Sequence, residues 1–236
     1  MVDIPPKPWP TGLAERVEPL VRRVLAPNPS PYTFTGTETY IVGAGSEVAV
    51  IDPGPAGTGE AGHADTNGAG HVAAILEAIG TAKLVAICCT HAHDDHVNVA
   101  PELRRRVGAP ILLHPDDHEL WRLAHDSEQP DRELADGQRV EVAGTYLQVL
   151  HTPGHAPGGV CLLAPEIGTL FSGDTLFAGG PGATGRSYSD FPTIIESIRS
   201  RLLTLPPSTV VNPGHGDSTS IGAEAPHLQE WIERGH

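Results

Sequence analysis

The chain has 236 residues and a mass of 24.8 kDa, with 39% hydrophobic and 19% charged residues, which excludes a disordered chain and a coiled coil. No apolar run is long enough to span a bilayer, and Met1 to Pro10 lacks the apolar stretch of a secretory signal. Lys and Arg number 15 against 29 Asp and Glu, a net charge of −14 with neutral His, so polyanions are repelled and no nucleic acid or membrane partner is expected. Residues 1–30 read as a proline-punctuated N-terminal extension packed on the domain. A helical stretch is predicted over Gly12 to Glu18 and a strand over Leu20 to Ala26. β-branched and aromatic residues predict strands at Tyr32 to Thr35 and Thr39 to Val42. Glu47 to Asp52 predicts a short buried strand ending at Asp52-Pro53-Gly54, and Pro53 to Gly70 is a loop by composition.

Apolar residues at Val72, Ile75, Leu76 and Ile79 have a helical period, which predicts a helix over Ala69 to Ile79. A strand at Leu84 to Cys89, a helix at Val97 to Val107, a strand at Ile111 to His114 and a helix at Asp116 to Ala124 follow. Further strands are predicted at Arg139 to Val142, Thr145 to Leu150, Val160 to Leu163, Thr169 to Ser172 and Val210 to Asn212. Helices are predicted at Ile194 to Leu203 and Ala225 to Glu233. No linker divides residues 31–236, so they read as a single α/β domain in two similar halves, with sheets packed together and helices outside. The three cysteines, Cys88, Cys89 and Cys161, have no framework spacing; they predict buried thiols and a reducing cytoplasm.

Histidine is in excess, at 13 residues. The strand ending at Cys89 runs into Thr90-His91-Ala92-His93-Asp94-Asp95-His96, a dense pattern with little risk of chance occurrence. A strand end delivers His91 and His93 on one side. The turn that follows swings Asp95 and His96 to an adjacent position, so one loop can serve two metal ions. A metal needs more ligands than this. Later donors stand after strands and beside Gly or Pro: His155 in Thr152-Pro153-Gly154-His155, Asp174 in Ser172-Gly173-Asp174-Thr175, and His215 in Asn212-Pro213-Gly214-His215-Gly216. His63 and His71 flank the glycine-rich loop as further candidate substrate contacts.

Together these motifs resemble the metallo-β-lactamase superfamily, over nearly the whole chain from about Pro31. The resemblance implies an αββα sandwich of two mixed β-sheets with outer helices. It implies two divalent metal ions, zinc first, with iron or manganese as alternatives. His91, His93 and His155 would bind one ion, Asp95, His96 and His215 the other, and Asp174 would bridge them. Asp52 resembles the family's first motif, which supports the metal loop. Gly173 to Phe177, Gly185-Arg186 and Asp190-Phe191-Pro192 are similar to the glyoxalase II-like (hydroxyacylglutathione hydrolase-like) subgroup, although the subgroup's Arg and Asp lie closer together than Arg186 and Asp190 do here. Arg186 and Tyr188 are the candidate substrate contacts.

The implied activity is hydrolysis of a small-molecule thioester by a metal-bridging hydroxide, with Asp95 accepting its hydrogen bond. A thiolate, whose conjugate acid has a pKa of about 8.5, leaves without prior protonation, whereas an amine does not. Only 21 residues follow His215 and Arg234 is their sole basic one, which weakens glutathione as the carrier. The main alternative is a mononuclear iron persulfide dioxygenase with the same ligand pattern. A β-lactamase would need an export signal, a phosphodiesterase or ribonuclease would be opposed by the charge, and a non-catalytic metal-binding protein would not need the full ligand set.

Overall fold

The computed structural model describes residues 11–56 and 69–235. Most of the glycine-rich loop, with His63, lies outside the described residues. Seven strands follow one another in the first sheet: β1 (Ala14–Glu18), β2 (Val21–Leu25), β3 (Glu38–Val42), β4 (Glu47–Ile51), β5 (Lys83–Cys88), β6 (Ile111–Leu113) and β7 (Arg132–Glu133). The first four are antiparallel, and β4 through β7 are parallel. Parallel neighbours need crossovers. These carry α1 (Ala69–Ile79), then α2 (Asp94–Val97) and α3 (Ala100–Val107), then α4 (His118–Ala124).

The second sheet comprises β8 (Arg139–Val142), β9 (Thr145–His151), β10 (Val160–Ala164), β11 (Thr169–Gly173), β14 (Val210–Pro213) and β15 (Thr219–Ser220), in the order β15-β14-β11-β10-β9-β8. A small hairpin of β12 (Leu176–Phe177) and β13 (Gly180–Pro181) follows β11. Helices α5 (Phe191–Ser197), α6 (Ile221–Glu224) and α7 (Leu228–Arg234) complete the chain.

Alternation along the strands builds the layers. Tyr40, Ala49, Ile51, Ala86 and Cys88 of the first sheet face Leu147, Val149, Val160, Leu162 and Phe171 of the second. Their neighbours Ile41, Val48, Val50 and Ile87 pack outward on Val72, Ile75, Leu103 and Trp121. The far face of the second sheet packs Cys161, Leu163, Leu170 and Val211 on Ile194, Ile198, Leu202 and Trp231. The result is a helix–sheet–sheet–helix sandwich. All three cysteines are buried and free. No helix among the described residues is long and apolar enough to cross a membrane.

Four expectations change. Residues 14–18 form strand β1, not a helix: Ala14 stands opposite Val24 of β2, and pairing at the sheet edge overrides the helical preference of Ala, Glu and Arg. β2 in turn pairs with β3, so these early residues form the antiparallel edge of the first sheet. Tyr32 to Thr35 is a turn, because the Ser30 hydroxyl accepts the Tyr32 and Thr33 N–H groups and Phe34 takes a φ of 52°. The helix read from Val97 is two helices, with Pro101 in the first turn of the second. The terminal helix read from Ala225 is a run of short helical segments beginning at Ile221.

Candidate metal centre

Each functional side chain stands where a strand runs out at one rim of the sandwich. β4 ends at Ile51 and leads directly into Asp52, a buried residue held at a φ of 48°, a conformation uncommon outside glycine. One Asp52 oxygen accepts the Thr90 N–H at 2.7 Å; the other accepts the Thr90 hydroxyl at 2.7 Å and His96 Nδ1–H at 2.9 Å. This assigns the hydrogen to Nδ1 and aims His96 Nε2 at the cluster. His71 lies beneath the same turn: its Nε2 is 3.0 Å from the Thr39 hydroxyl, which donates to the Asp52 carbonyl at 2.7 Å. It is buried, so its place is under the turn and away from substrate.

The short helix α2 starts directly after His93, and its first turn brings Asp95 and His96 round beside His91 and His93. β9 leads to His155, whose Nδ1 donates to the Ala183 carbonyl at 2.7 Å. The loop needs glycine at 154, with a φ of 135° and a would-be Cβ 2.3 Å from the Ile194 nitrogen. β11 leads to Asp174 and β14 to His215, whose Nδ1 donates to the Gly36 carbonyl at 3.3 Å.

Ligand-capable atoms of His91, His93 and His155 all lie within 4.8 Å of one another, and so do those of Asp95, His96 and His215. Asp174 stands between the two groups. Its Oδ1 is 3.4 Å from His96 Nε2, and its Oδ2 is 3.5 Å from His215 Nε2 and 3.6 Å from His155 Nε2. Two buried atoms at the centre, His91 Nε2 and Asp174 Oδ1, have no hydrogen-bond partner. Nitrogens also meet nitrogens: His93 Nδ1 is 3.0 Å from His155 Nε2, and His96 Nε2 is 3.2 Å from His215 Nε2. Ring nitrogens and carboxylate oxygens buried this close together are costly alone and suit divalent cations, so the residues fit a two-ion centre.

The electrostatics divide the rings. Burial lowers His91 well below its ordinary range and takes His93 to about 4, with neighbouring histidines adding to both shifts. Burial also opposes charge on His96 and His215, but the carboxylates beside them outweigh it, raising His96 to about 9 and His215 to about 10. Both rings therefore carry a proton at pH 7. Zinc loading at that pH is expected to release about two protons per chain, read by calorimetry in buffers of different ionisation enthalpy. A buffer-independent heat would contradict this.

Asp117 was missed in the sequence because it looks like an ordinary acid at a helix start. It closes a 3₁₀ turn, Pro115–Asp117, and is fully buried. Its Oδ2 accepts the Ala92 N–H at 2.8 Å, and its Oδ1 accepts the Gly158 N–H at 2.5 Å. One carboxylate thus ties the loop of His91 and His93 to the loop of His155. No local pattern signals such a tie, since the partners lie 25 and 41 residues away. Asp117→Ala is expected to weaken metal retention about 10–100-fold. It would also cost stability, about 1–3 kcal/mol for each buried N–H left unpaired. Chelator competition and thermal melts measure the two effects separately.

A cavity of about 530 Å³ opens over the cluster, lined by His93, Asp95, His155, Asp174 and His215 among others. Arg186 lines it too, with its guanidinium 4.3 Å over the Tyr32 ring. Asp190 is occupied elsewhere, accepting the Thr193 N–H at 2.9 Å to cap α5. Tyr188 is exposed, at a φ of 70°, and is not among the described residues of the cavity wall.

The profile of the Metallo-beta-lactamase superfamily matches residues 32–215, and the chain belongs to that superfamily. Hydroxyacylglutathione hydrolase GloC of Haemophilus influenzae is 34% identical over 155 residues, 60% of this chain and 73% of that protein. An atrochrysone carboxyl ACP thioesterase of Aspergillus chevalieri is 36% identical over 169 residues, 70% of this chain, which spans about half (48%) of that longer protein. The crystal structure of TTHA1623 in a di-iron-bound form matches with a TM-score of 0.66 and 34% identity, covering 86% of this chain and 97% of that one.

Proposed function

We propose that the protein is a metal-dependent hydrolase acting on thioesters of small thiol carriers. The observation that carries this reading is the convergence of five histidines and two aspartates from four strand-end loops at the floor of an open cavity. His91, His93 and His155 would hold one ion, Asp95, His96 and His215 the second, with Asp174 between them. Zinc is proposed; iron and manganese suit the same donors, and a relative's structure holds iron. When bound, such a pair supplies a Lewis acid and a water whose pKa falls to about 7.

Asp95 faces the cavity, where it would accept the hydrogen bond of an attacking water. Asp52 and Asp117 keep the ligand loops in place. Phe177 lies parallel to the His215 ring at 6.4 Å and meets Phe34 edge-on at 6.2 Å, giving the reacting carbonyl a wall that excludes water. Outside the cluster, the described cavity wall has no histidine or lysine to protonate an amine leaving group. A thiolate needs no such donor. The names of the hydrolase and thioesterase relatives support the same bond type. A net charge of −14 supports a small-molecule substrate over nucleic acid, and three free buried thiols support a cytoplasmic setting.

The test is elemental analysis of the purified protein followed by thiol release from a panel of acyl thioesters. Turnover is expected. Metal-loaded protein that is inert across the panel, but consumes oxygen with a persulfide or opens a β-lactam, would overturn the reading.

A further inference from the structure

The start of β3 reaches across to the loop that carries His215. The Gly36 carbonyl accepts His215 Nδ1–H at 3.3 Å, Thr37 forms an isolated antiparallel bridge with His215, and the Glu38 N–H donates to the Gly214 carbonyl at 2.8 Å. Tyr40 adds a contact from its side chain. Its ring is buried between the two sheets, 5.1 Å from the Phe171 ring, and its hydroxyl donates to the Pro213 carbonyl at 2.7 Å. The two residues lie 173 positions apart in the chain.

The hydroxyl is itself held in place. Glu38 Oε2 lies 2.6 Å from it and accepts the same hydrogen, and Arg23 Nη1 donates to that carboxylate oxygen at 3.3 Å. Glu38 and Arg23 are both buried, and Arg23 Nε pairs with Glu15 at 3.0 Å. A tyrosine hydroxyl has one hydrogen, so here a carboxylate and a carbonyl share it. Burial pushes the hydroxyl well above its ordinary pKa, so it stays a donor at any working pH. A phenylalanine ring would pack in the same space, and burying a charge pair beside it would be costly. The ring answers to packing; the hydroxyl and its ion pair answer to the Pro213 carbonyl.

This contact bears on one half of the cluster. Pro213 stands two residues before His215, and Gly214 between them packs against Asp174 and His96. A shift of the Pro213 carbonyl therefore carries His215 with it. The loops of His91, His93 and His155 are tied by Asp117 instead.

We infer that Tyr40 is a positioning residue for the metal centre. Its hydroxyl, set by Glu38 and Arg23, fixes the loop from Pro213 to His215, so that the ion assigned to Asp95, His96 and His215 is held tightly. The inference rests on the two-ion reading of the cluster and is independent of which bond is cleaved.

The test compares Tyr40→Phe, which removes the hydroxyl and keeps the ring, with Leu147→Ala, which removes packing from the same layer between the sheets. Zinc is titrated against a chromophoric chelator, and hydrogen exchange is followed by mass spectrometry in the metal-free proteins. In Tyr40→Phe one of the two zinc ions should bind about 10–100-fold more weakly while the other is unchanged. Exchange in peptides covering residues 210–217 should speed up about tenfold, with peptides covering 91–96 and 152–158 unaffected. Leu147→Ala should lower Tm without separating the two zinc steps. Two wild-type zinc steps in Tyr40→Phe, or exchange at 210–217 that quickens no more than in the other ligand loops, would overturn the inference. Wild-type protein that takes up fewer than two zinc ions would sink the two-ion reading, and the exchange comparison would still decide whether Tyr40 holds the loop.

Discussion

Asp174→Ala is expected to lose metal from both halves of the cluster and to lower thioester turnover by about a thousandfold or more. Asp174 alone stands between the two groups, within 3.6 Å of ring nitrogens of His96, His155 and His215. Burial opposes its charge, but His215 and His96 hold its carboxyl well below the usual range, so it stays ionised. Without it, five imidazoles face one another with only Asp95 to balance bound dications. Elemental analysis should find less than one equivalent per chain, while circular dichroism remains native. A variant that kept two equivalents and full turnover would show that Asp174 is not central to the site.

Gly214→Ala should have an effect of similar size by a different cause. A Cβ at this position would lie 2.4 Å from Asp174 Oδ1 and 2.6 Å from His96 Cε1. Neither can yield cheaply: His96 is tied through Nδ1 to Asp52, and Asp174 is packed among the histidine rings. The backbone at Gly214 is not left-handed, unlike that at Gly154 or Gly173, so alanine brings no backbone strain. The expected loss is therefore confined to the metal cradle, with turnover falling about a hundredfold or more and only a modest fall in Tm. Gly154→Ala would instead press on the Ile194 backbone and should fail mainly in stability. Parallel melts and metal analysis of the two variants separate the effects. Equal destabilisation without metal loss from Gly214→Ala would contradict the cradle.

Much of the fold was readable along the chain, because the unbroken apolar run Val48 to Ile51 marks a strand buried on both faces and the helical period of Val72 to Ile79 records locally which face of the helix is buried. The four histidine and aspartate motifs were also readable, as each follows an apolar strand and carries the Gly or Pro that turns the chain at a sheet rim. What could not be read locally depends on partners distant in sequence. Strand β1 exists because β2 offers it a ladder; its own residues favour a helix. Asp117 acts through amides in two other loops, and Tyr40 donates to a carbonyl 173 residues further on. Hydrogen bonds and charges of this kind are made between segments, so their meaning arises only when the two sheets bring those segments together.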